Sequence, residues 1–449
     1  MIQELKVKNF LSFRDEAVLS FEATRDTSLE DRYVVEVAPG VRLLRFAMIM
    51  GANASGKSNL LYALDFVRQW WFERPDNNEE PTGVMPFMLD SSSCNEPSEI
   101  ELRFWTGGIR YHYLLRATTK QVIQERLSVY RSVQPTIVFN RELKEGHTVI
   151  SFNPAVEKLS DVELNELQVK CLNNMSIIAA SQQVNIPFTV LDEVRNWMRN
   201  AIMPLILPQR EMYAWSVEEM RDNPDVKKHI LDFLHHSDFN ISNLQSREQK
   251  HRIELPQPAL NAFVHALFEA NGVDEEKANI LRVSIDQDAK KHRLDTQFTH
   301  RVVNDKGTEE YLLDENVESY GTRRIIGMEA AIYTATKEGA FLNIDELEAS
   351  MHHDLVLYVL SKFLCQQSES QMLVTTHCTS LLAWIDKLIR KDSVWFTERA
   401  KDGNSSLYTL VEFKGLNRLS SIQNAYLAGK FGAVPDIIIN NNDHLGTHK

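Results

Sequence analysis

The chain has 449 residues, of which 43% are apolar and 25% charged, so a folded protein of about two or three structural units is expected. Its net charge of −13 argues against a protein that binds nucleic acid through bulk electrostatics. The four cysteines lie far apart without a C-x-x-C pair, which argues against a zinc site or a disulfide framework and suits a reducing cytoplasm.

The N-terminal third predicts strands around one helix. Residues 2–7 and 16–21 read as strands, and residues 41–50 form a third apolar segment before a helix over 58–73. Period-two alternation then predicts strands over 99–104, 110–115 and 122–127, with a hairpin turn at 106–108. The first residues lack a signal-peptide core, and no run of about 18 apolar residues occurs, so no membrane span is expected.

A phosphate-binding loop lies between the third strand and the helix. Residues 51–58 match G-x-x-x-x-G-K-[ST] at every fixed position, in the strand–loop–helix context that gives this motif its meaning. The backbone N–H groups would cradle a triphosphate, Lys57 would reach its β- and γ-phosphates, and Ser58 would bind Mg²⁺. ATP and Mg²⁺ are therefore the expected cofactors. The candidate nucleotide-binding residues are Gly51, Asn53, Ala54, Ser55, Gly56, Lys57, Ser58 and Asn59.

The middle of the chain has a different pattern. Apolar residues at three-and-four spacing predict helices over 162–174, 189–201, 225–235 and 258–270, and strand character returns at 279–285 and 296–302. We expect a mainly helical insertion with a short hairpin over 155–310. It would separate an N-terminal ATPase lobe with a β subdomain, 1–154, from a C-terminal ATPase lobe, 311–449.

Three segments of the C-terminal lobe are candidates for the rest of a nucleotide site. The apolar run 339–344 ends in Asp345, which would hold Mg²⁺, and Glu346, which would polarise a water. The run 371–374 is followed by His377, which would contact a γ-phosphate. Upstream, Ser319, Gly321 and Thr322 precede a predicted helix and would offer N–H groups to a phosphate. The alternative for Asp345 and Glu346 is a solvated acidic turn, and the alternative for His377 is a purely structural role.

The order and spacing of these segments indicate the class of ATPase. Lys57 and Asp345 are 288 positions apart, which suits an ATPase head that is split by an insertion. In such heads the S-x-G-T helix of one subunit closes on the ATP that the other subunit holds. We therefore expect an α/β fold, a P-loop NTPase head with an antiparallel β subdomain, that forms homodimers or higher homo-oligomers.

The chain resembles the AAA15-type ATPases, which are ABC-type heads related to RecF, Rad50, SMC and OLD proteins. The resemblance covers nearly the whole length. It rests on residues 9–13 (N-F-L-S-F), the phosphate loop, 238–241, 318–322, 345–348 with 350–352, 375–377, and the C-terminal run 424–435. It implies that Ser319, Gly321 and Thr322 act in trans, that Asp345 is the Walker B acid, that Glu346 is the catalytic base and that His377 is the switch histidine. His353 departs from the family, since relatives commonly carry proline there, and the glutamine that lines Mg²⁺ is not placed.

The resemblance also implies a biological role. Such ATPases are often encoded beside a small, commonly nuclease-like effector in bacterial antiphage defence, where slow, switch-like ATP hydrolysis regulates that effector. Two alternatives stay open: a RecF- or Rad50-like DNA repair ATPase, and a scaffold whose ATP is structural. Basic clusters at 247–252 and 290–293 leave contact with nucleic acid open. Residues 286–288 imitate the D-x-D of a TOPRIM nuclease, but a polar turn is favoured there.

Overall fold

The computed structural model describes residues 1–209, 212–237, 239–249, 293–305 and 307–435. The chain divides into two compact units. The first unit combines Met1–Arg210 with Ala331–Lys449, and the second is Glu211–Ala330. The predicted helix over 258–270, the predicted strand over 279–285 and the D-x-D at 286–288 lie outside the described residues. The expected boundaries of the insertion stay a prediction.

The described strands form four sheets. In chain order they are β1 (Ile2–Lys8), β2 (Ala17–Ser20), β3 (Val34–Ala38), β4 (Val41–Leu44), β5 (Phe46–Met50), β6 (Ser98–Thr106), β7 (Ile109–Ala117), β8 (Val122–Tyr130), β9 (Thr136–Lys144), β10 (His147–Phe152), β11 (Ile241–Gln249), β12 (Arg293–Asn304), β13 (Gly307–Asp314), β14 (Phe341–Ile344), β15 (Gln371–Thr376), β16 (Val394–Arg399) and β17 (Ser405–Thr409).

The described α-helices range from a single turn to 19 residues. They are α1 (Glu30–Tyr33), α2 (Lys57–Trp70), α3 (Asp161–Lys170), α4 (Ile177–Ser181), α5 (Val190–Ala201), α6 (Tyr213–Asp222), α7 (Pro224–His236), α8 (Tyr320–Glu338), α9 (His353–Cys365) and α10 (Ile422–Leu427). Within the described part of the chain, none is both long and apolar enough to span a bilayer.

The central sheet of the first unit has the strand order β14-β15-β5-β16-β17. Its first four strands are parallel, and β17 pairs with β16 in the antiparallel sense. Every residue of β5, β14 and β15 is buried, as expected for strands covered on both faces. This order places the end of β15 between the ends of β5 and β14, so the segments that follow these three strands meet at one edge of the sheet.

A seven-stranded antiparallel sheet with the order β10-β9-β8-β7-β6-β1-β2 accompanies the central sheet in the first unit. The strands predicted from period-two alternation are confirmed as β6, β7 and β8. In the predicted hairpin turn, Gly107 and Gly108 both have positive φ, 56° and 73°, which suits a two-residue turn with the twist of its strands. The expected α/β P-loop fold with an antiparallel β subdomain is thus confirmed.

The second unit contains α6, α7, the start of α8 and an antiparallel sheet of the order β11-β12-β13. Asn223 caps α7, accepting a hydrogen bond from the backbone N–H of Asp225, and Pro224 occupies its first turn. The predicted strand over 296–302 is confirmed within β12. Strands β11 and β13 were not predicted. Nearly all of β13 is exposed, so its sequence lacks the alternation that marks a half-buried strand.

Candidate functional site

The phosphate loop joins β5 to α2, and two other segments contact it closely. Gly56 has φ 102°, and a Cβ atom there would lie 2.6 Å from the hydroxyl oxygens of Ser12 and Ser405. A Cβ atom on Gly51 would lie 2.4 Å from the carbonyl oxygen of Thr397. The β1–β2 turn and the β16–β17 hairpin therefore press on the loop, and both glycines are required by this approach.

Lys57 begins α2 and is buried against the loop. Its Nζ donates hydrogen bonds to the carbonyl oxygens of Gly51 and Ala52, each at 2.9 Å. Burial lowers the pKa of Lys57 to about 8, although the carboxylates of Asp345 and Glu346 act in the opposite sense. The ammonium group is therefore held inside the loop, at the place where a triphosphate would receive it.

Ser58 and Asp345 meet across the loop. The Ser58 hydroxyl donates to Asp345 Oδ1 at 2.8 Å, and the Thr375 hydroxyl donates to the same oxygen at 2.6 Å. Asp345 follows β14 and is 5% exposed. A hydroxyl and a carboxylate that are adjacent at the mouth of a phosphate loop fit Mg²⁺, which takes few protein oxygens and completes its shell with phosphates and water. These two residues would hold the ion.

Glu346 follows Asp345 in a left-handed backbone conformation, with φ 48°. Its backbone N–H donates to the Thr375 hydroxyl at 2.8 Å. Thr375 therefore fixes both acids, accepting from one and donating to the other. A left-handed non-glycine residue beside a phosphate loop is a strained conformation of the kind that clusters at functional sites.

His377 follows β15 and lines the same cavity as Lys57 and Glu346. Its backbone N–H donates to Glu348 Oε1 at 2.5 Å. Partial burial, together with the nearby charge of Lys57, lowers the pKa of His377. This shift favours the neutral imidazole, which has one ring nitrogen to donate and one to accept.

Most of these groups line one cavity of about 810 Å³ in the first unit, although Asp345 is not part of its lining. Its lining includes Lys57, Glu346, His377 and six of the other seven candidate loop residues; Gly51 is the exception. The cavity also contains residues that the sequence did not predict as site residues, namely Leu11, Ser12, Val84, Met85, Pro86, Met88, Leu89, Thr119 and Arg399. Apart from the 9–13 motif, no pattern in the sequence marks them.

The β1–β2 turn shows why the N-F-L-S-F motif belongs to the site. Phe10 and Phe13 are fully buried and anchor the turn, while Leu11 takes φ 51°. Ser12 Oγ accepts from the Asn59 amide at 2.7 Å and lies 2.8 Å from the Ser405 hydroxyl, which donates to it. The turn thus ties the first turn of α2 to the β16–β17 hairpin.

The residues of the S-x-G-T segment lie in the second unit, at the start of α8. Ser319 is exposed, and its hydroxyl accepts from the backbone N–H of Thr322 at 3.0 Å, as an N-cap does. Thr322 is buried, and Gly321 lies in the first helical turn. The segment thus has the helix N-terminus that an anion site needs, and its role stays a prediction.

His353 has contacts of its own in the first unit. Its Nδ1 lies 2.8 Å from the Ser380 hydroxyl and 3.8 Å from the Cys378 thiol, so α9 is tied to the loop that carries His377. Across the described ranges, no group of three or more His, Cys, Asp and Glu side chains is arranged to hold a metal ion. All four cysteines are free thiols.

Comparisons with known proteins place the chain among ATPase-type domains. The model of the family described as "AAA domain, putative AbiEii toxin, Type IV TA system" matches residues 46–383. No curated protein matches the sequence. Among solved structures, the SMC head domain from Thermotoga maritima is 12% identical, with a TM-score of 0.40 over 91% of this chain and 98% of that chain.

Two further SMC heads have sequence identities and TM-scores close to these values. A structure of the SmcHead bound to the C-winged helix domain of ScpA is 14% identical, with a TM-score of 0.45 over 95% of this chain and 99% of that one. An Smc head domain with an extended coiled coil, bound to the C-terminal domain of ScpA derived from Pyrococcus furiosus, is 12% identical, with a TM-score of 0.39 over 96% and 98%.

The family match covers well over half of the chain. It contains the phosphate loop, the S-x-G-T segment, the acidic pair and His377, whereas Leu11, Ser12 and Arg399 of the cavity lining lie outside it. The chain therefore belongs to this AAA domain family.

Proposed function

We propose that this protein is an ATP-binding and ATP-hydrolysing ABC-type ATPase that closes on its nucleotides as a pair of subunits. One observation carries the proposal. Lys57, Glu346 and His377 line one cavity, and Asp345 is hydrogen-bonded to Ser58 although 287 positions separate them. A buried lysine, an acid fit for Mg²⁺ and a second acid are the parts that phosphoryl transfer to water requires.

In the proposed reaction, Lys57 gives up its hydrogen bonds to the carbonyls of Gly51 and Ala52 and donates instead to oxygens of the β- and γ-phosphates. Bound Mg²⁺ would supply charge neutralisation at the phosphates, and Ser58 and Asp345 would hold it. Water attacks the γ-phosphorus while the bond from that phosphorus to the bridging oxygen of ADP breaks, ADP leaves, and Glu346 accepts the proton of the water as general base. The neutral imidazole of His377 donates a hydrogen bond to the γ-phosphate, which stabilises the charge that develops there.

The pairing of subunits is part of the same proposal. Ser319 is exposed at the N-terminus of α8, a 19-residue helix whose first-turn N–H groups favour an anion. In the pair, this terminus would close on the γ-phosphate that the other subunit holds. ATP then stabilises the pair, because neither half of the site encloses the phosphate alone.

We further propose that the cycle of pairing and release regulates a nuclease-like effector in bacterial antiphage defence, in the cytoplasm. The support is the resemblance to AAA15-type ATPases and a family description that names a toxin of a Type IV TA system. The ATPase would hold the effector inactive until the paired state changes.

The test compares Lys57→Ala, Glu346→Gln and the exposed control Lys170→Ala. Lys57→Ala should abolish ATP binding, measured by calorimetry, since it removes the ammonium group that the loop holds for the phosphates. Glu346→Gln should bind ATP, lower turnover by about 100-fold or more, and accumulate an ATP-dependent oligomer in size-exclusion chromatography with light scattering. Lys170→Ala should behave as wild type.

Two results would contradict the proposal. Turnover of Glu346→Gln at the wild-type rate would remove Glu346 as the base. Binding of ATP by Lys57→Ala with wild-type affinity would mean that the cavity is not the nucleotide site.

A further inference from the structure

Exposed apolar side chains form a wall in the cavity that the phosphate loop lines. Met85, Met88 and Leu89 are 51%, 69% and 58% exposed, and all three line that cavity. Leu11, from the β1–β2 turn, continues the same wall. Large apolar side chains that are left open to water beside a functional pocket indicate a ligand surface.

Two neighbouring segments hold the wall in place. The backbone N–H of Leu11 donates to the carbonyl of Met85 at 2.8 Å, and that of Phe87 donates to the Asn9 side chain at 3.0 Å. Phe87 itself is buried and anchors the segment between the two methionines. At the other end of the wall, the Leu89 side chain packs closely on Gly403, where a Cβ atom would lie 2.3 Å from the Leu89 Cδ1.

We propose that this wall, formed by Leu11, Met85, Met88 and Leu89, binds the base of the nucleoside triphosphate whose phosphates the loop holds. The inference rests on the proposed function and adds the base subsite. The position supports it, because the wall and the loop line one cavity of about 810 Å³, which suits a whole nucleotide. Thioether and aliphatic groups contact the face of an aromatic ring favourably.

The chemistry of the wall determines which bases it accepts. Its four side chains carry no hydrogen-bonding nitrogen or oxygen, and the cavity has no Phe, Tyr or Trp among its described lining. Thr119, in the β7–β8 turn, adds a hydroxyl that serves either as donor or as acceptor. The wall therefore recognises the size and apolar face of a purine and discriminates little between adenine and guanine.

The experiment uses the double variant Met85→Gln with Met88→Gln, which keeps chain length and charge while removing apolar surface. Calorimetry measures ATP, GTP and inorganic tripolyphosphate with the full-length protein. We expect ATP and GTP to bind wild type within about fivefold of each other. The double variant should lose about tenfold in affinity for both and keep tripolyphosphate affinity within about twofold.

Val169→Gln is the matched control, because Val169 is 80% exposed on α3 and does not line the cavity. It should leave all three affinities unchanged. An equal loss of tripolyphosphate and ATP in the double variant, or no loss at all, would overturn the inference. A wild-type preference for ATP over GTP beyond about 100-fold would also overturn it, since a group that hydrogen-bonds to the edge of the base would then be required. If wild type bound neither ATP nor tripolyphosphate, the proposed function itself would fail.

Discussion

Thr375 connects the two acids that follow the neighbouring strand. Its hydroxyl donates to Asp345 and accepts from the backbone N–H of Glu346, so one buried side chain sets the position of both. Thr375→Val keeps the shape of the side chain and removes both hydrogen bonds. We expect ATP turnover to fall about tenfold or more, because the acids lose their alignment, and unfolding free energy to fall by about 1–3 kcal/mol.

Steady-state ATPase assays and urea unfolding measure the two effects. Thr375→Ser, which keeps the hydroxyl, is the control and should retain most of the activity. If Thr375→Val turned over ATP at the wild-type rate, the two hydrogen bonds would not be needed for alignment.

Lys57 should make the stability of the nucleotide-free protein depend on pH. Burial lowers its pKa from 10.5 to about 8, so between these values the unfolded chain binds more protons than the folded one. Stability from this group therefore rises with pH through that window. Wild type should gain about 1–3 kcal/mol relative to Lys57→Met between pH 8 and 10, in urea denaturation without nucleotide.

Other groups that titrate in this range are present in both proteins, so their effects cancel in the difference. A difference that stayed constant from pH 7.5 to pH 10 would show, by the linkage relation, that Lys57 keeps its ordinary pKa in the folded chain. At pH 7 and without nucleotide, Lys57→Met should approach or exceed wild-type stability, since it removes a buried charge.

The sequence predicts the site residues that lie within a motif, but it does not reveal residues that contact the motif from distant parts of the chain. The loop and its lysine follow from fixed positions in a short segment. The contacts of Ser12 with Asn59 and Ser405 span 47 and 393 positions, so no local pattern reveals them. Arg399 donates to the carbonyl of Ala54 at 3.3 Å in the same way.

The packing of the phosphate loop between its neighbouring elements depends on the absence of a side chain at Gly56. Gly56→Ala would bring a Cβ atom to 2.6 Å from the hydroxyl oxygens of Ser12 and Ser405, so these two side chains must shift. We expect ATP affinity to fall by about tenfold or more as the cradle opens, measured by calorimetry. Gly40→Ala is the matched control, since Gly40 has φ 77° with no atom within 4 Å of the added Cβ.

Gly40→Ala should lower unfolding free energy by about 1 kcal/mol through backbone strain and leave ATP affinity unchanged. The pair of variants therefore separates strain from collision. Equal losses of ATP affinity in both variants would mean that close approach at Gly56 does not decide the fit of the loop.

How well the elements could be predicted depends on how strongly each pattern constrains the backbone. The strands β6, β7 and β8 alternate in burial, and β5 and β15 are buried along their whole length, so period and apolar run predict them. Residues 84–89 belong to none of the α-helices or β-strands. Their position depends on a hydrogen bond that Phe87 donates to Asn9 and one that Leu11 donates to Met85, and a sequence pattern does not contain either.

For the molecule as a whole, the proposed pairing requires that two copies complete each other's site. Gly321→Asp tests the S-x-G-T segment without damaging the helix, because Ser319 keeps its cap and an acid in the first turn of α8 stabilises it. The new carboxylate repels a γ-phosphate. Gly321→Asp alone should therefore lose turnover while keeping ATP binding in its own loop, as followed by calorimetry.

Mixing this variant with Lys57→Ala should restore activity that neither protein has alone. In a mixed pair, the intact loop of the Gly321→Asp copy faces the intact S-x-G-T helix of the Lys57→Ala copy, so one of its two sites is whole. Random pairing of equal amounts would make half of the pairs mixed and return about one quarter of wild-type turnover. Because only the mixed pair contains a complete ATP site, ATP-dependent pairing should raise this value toward about one half. Lys57→Ala mixed with the Lys57→Ala, Gly321→Asp double variant supplies the control, since no combination there contains a complete site. Activity that stays at the level of the separate variants, while chromatography detects mixed pairs, would mean that each subunit hydrolyses ATP without a residue from its partner.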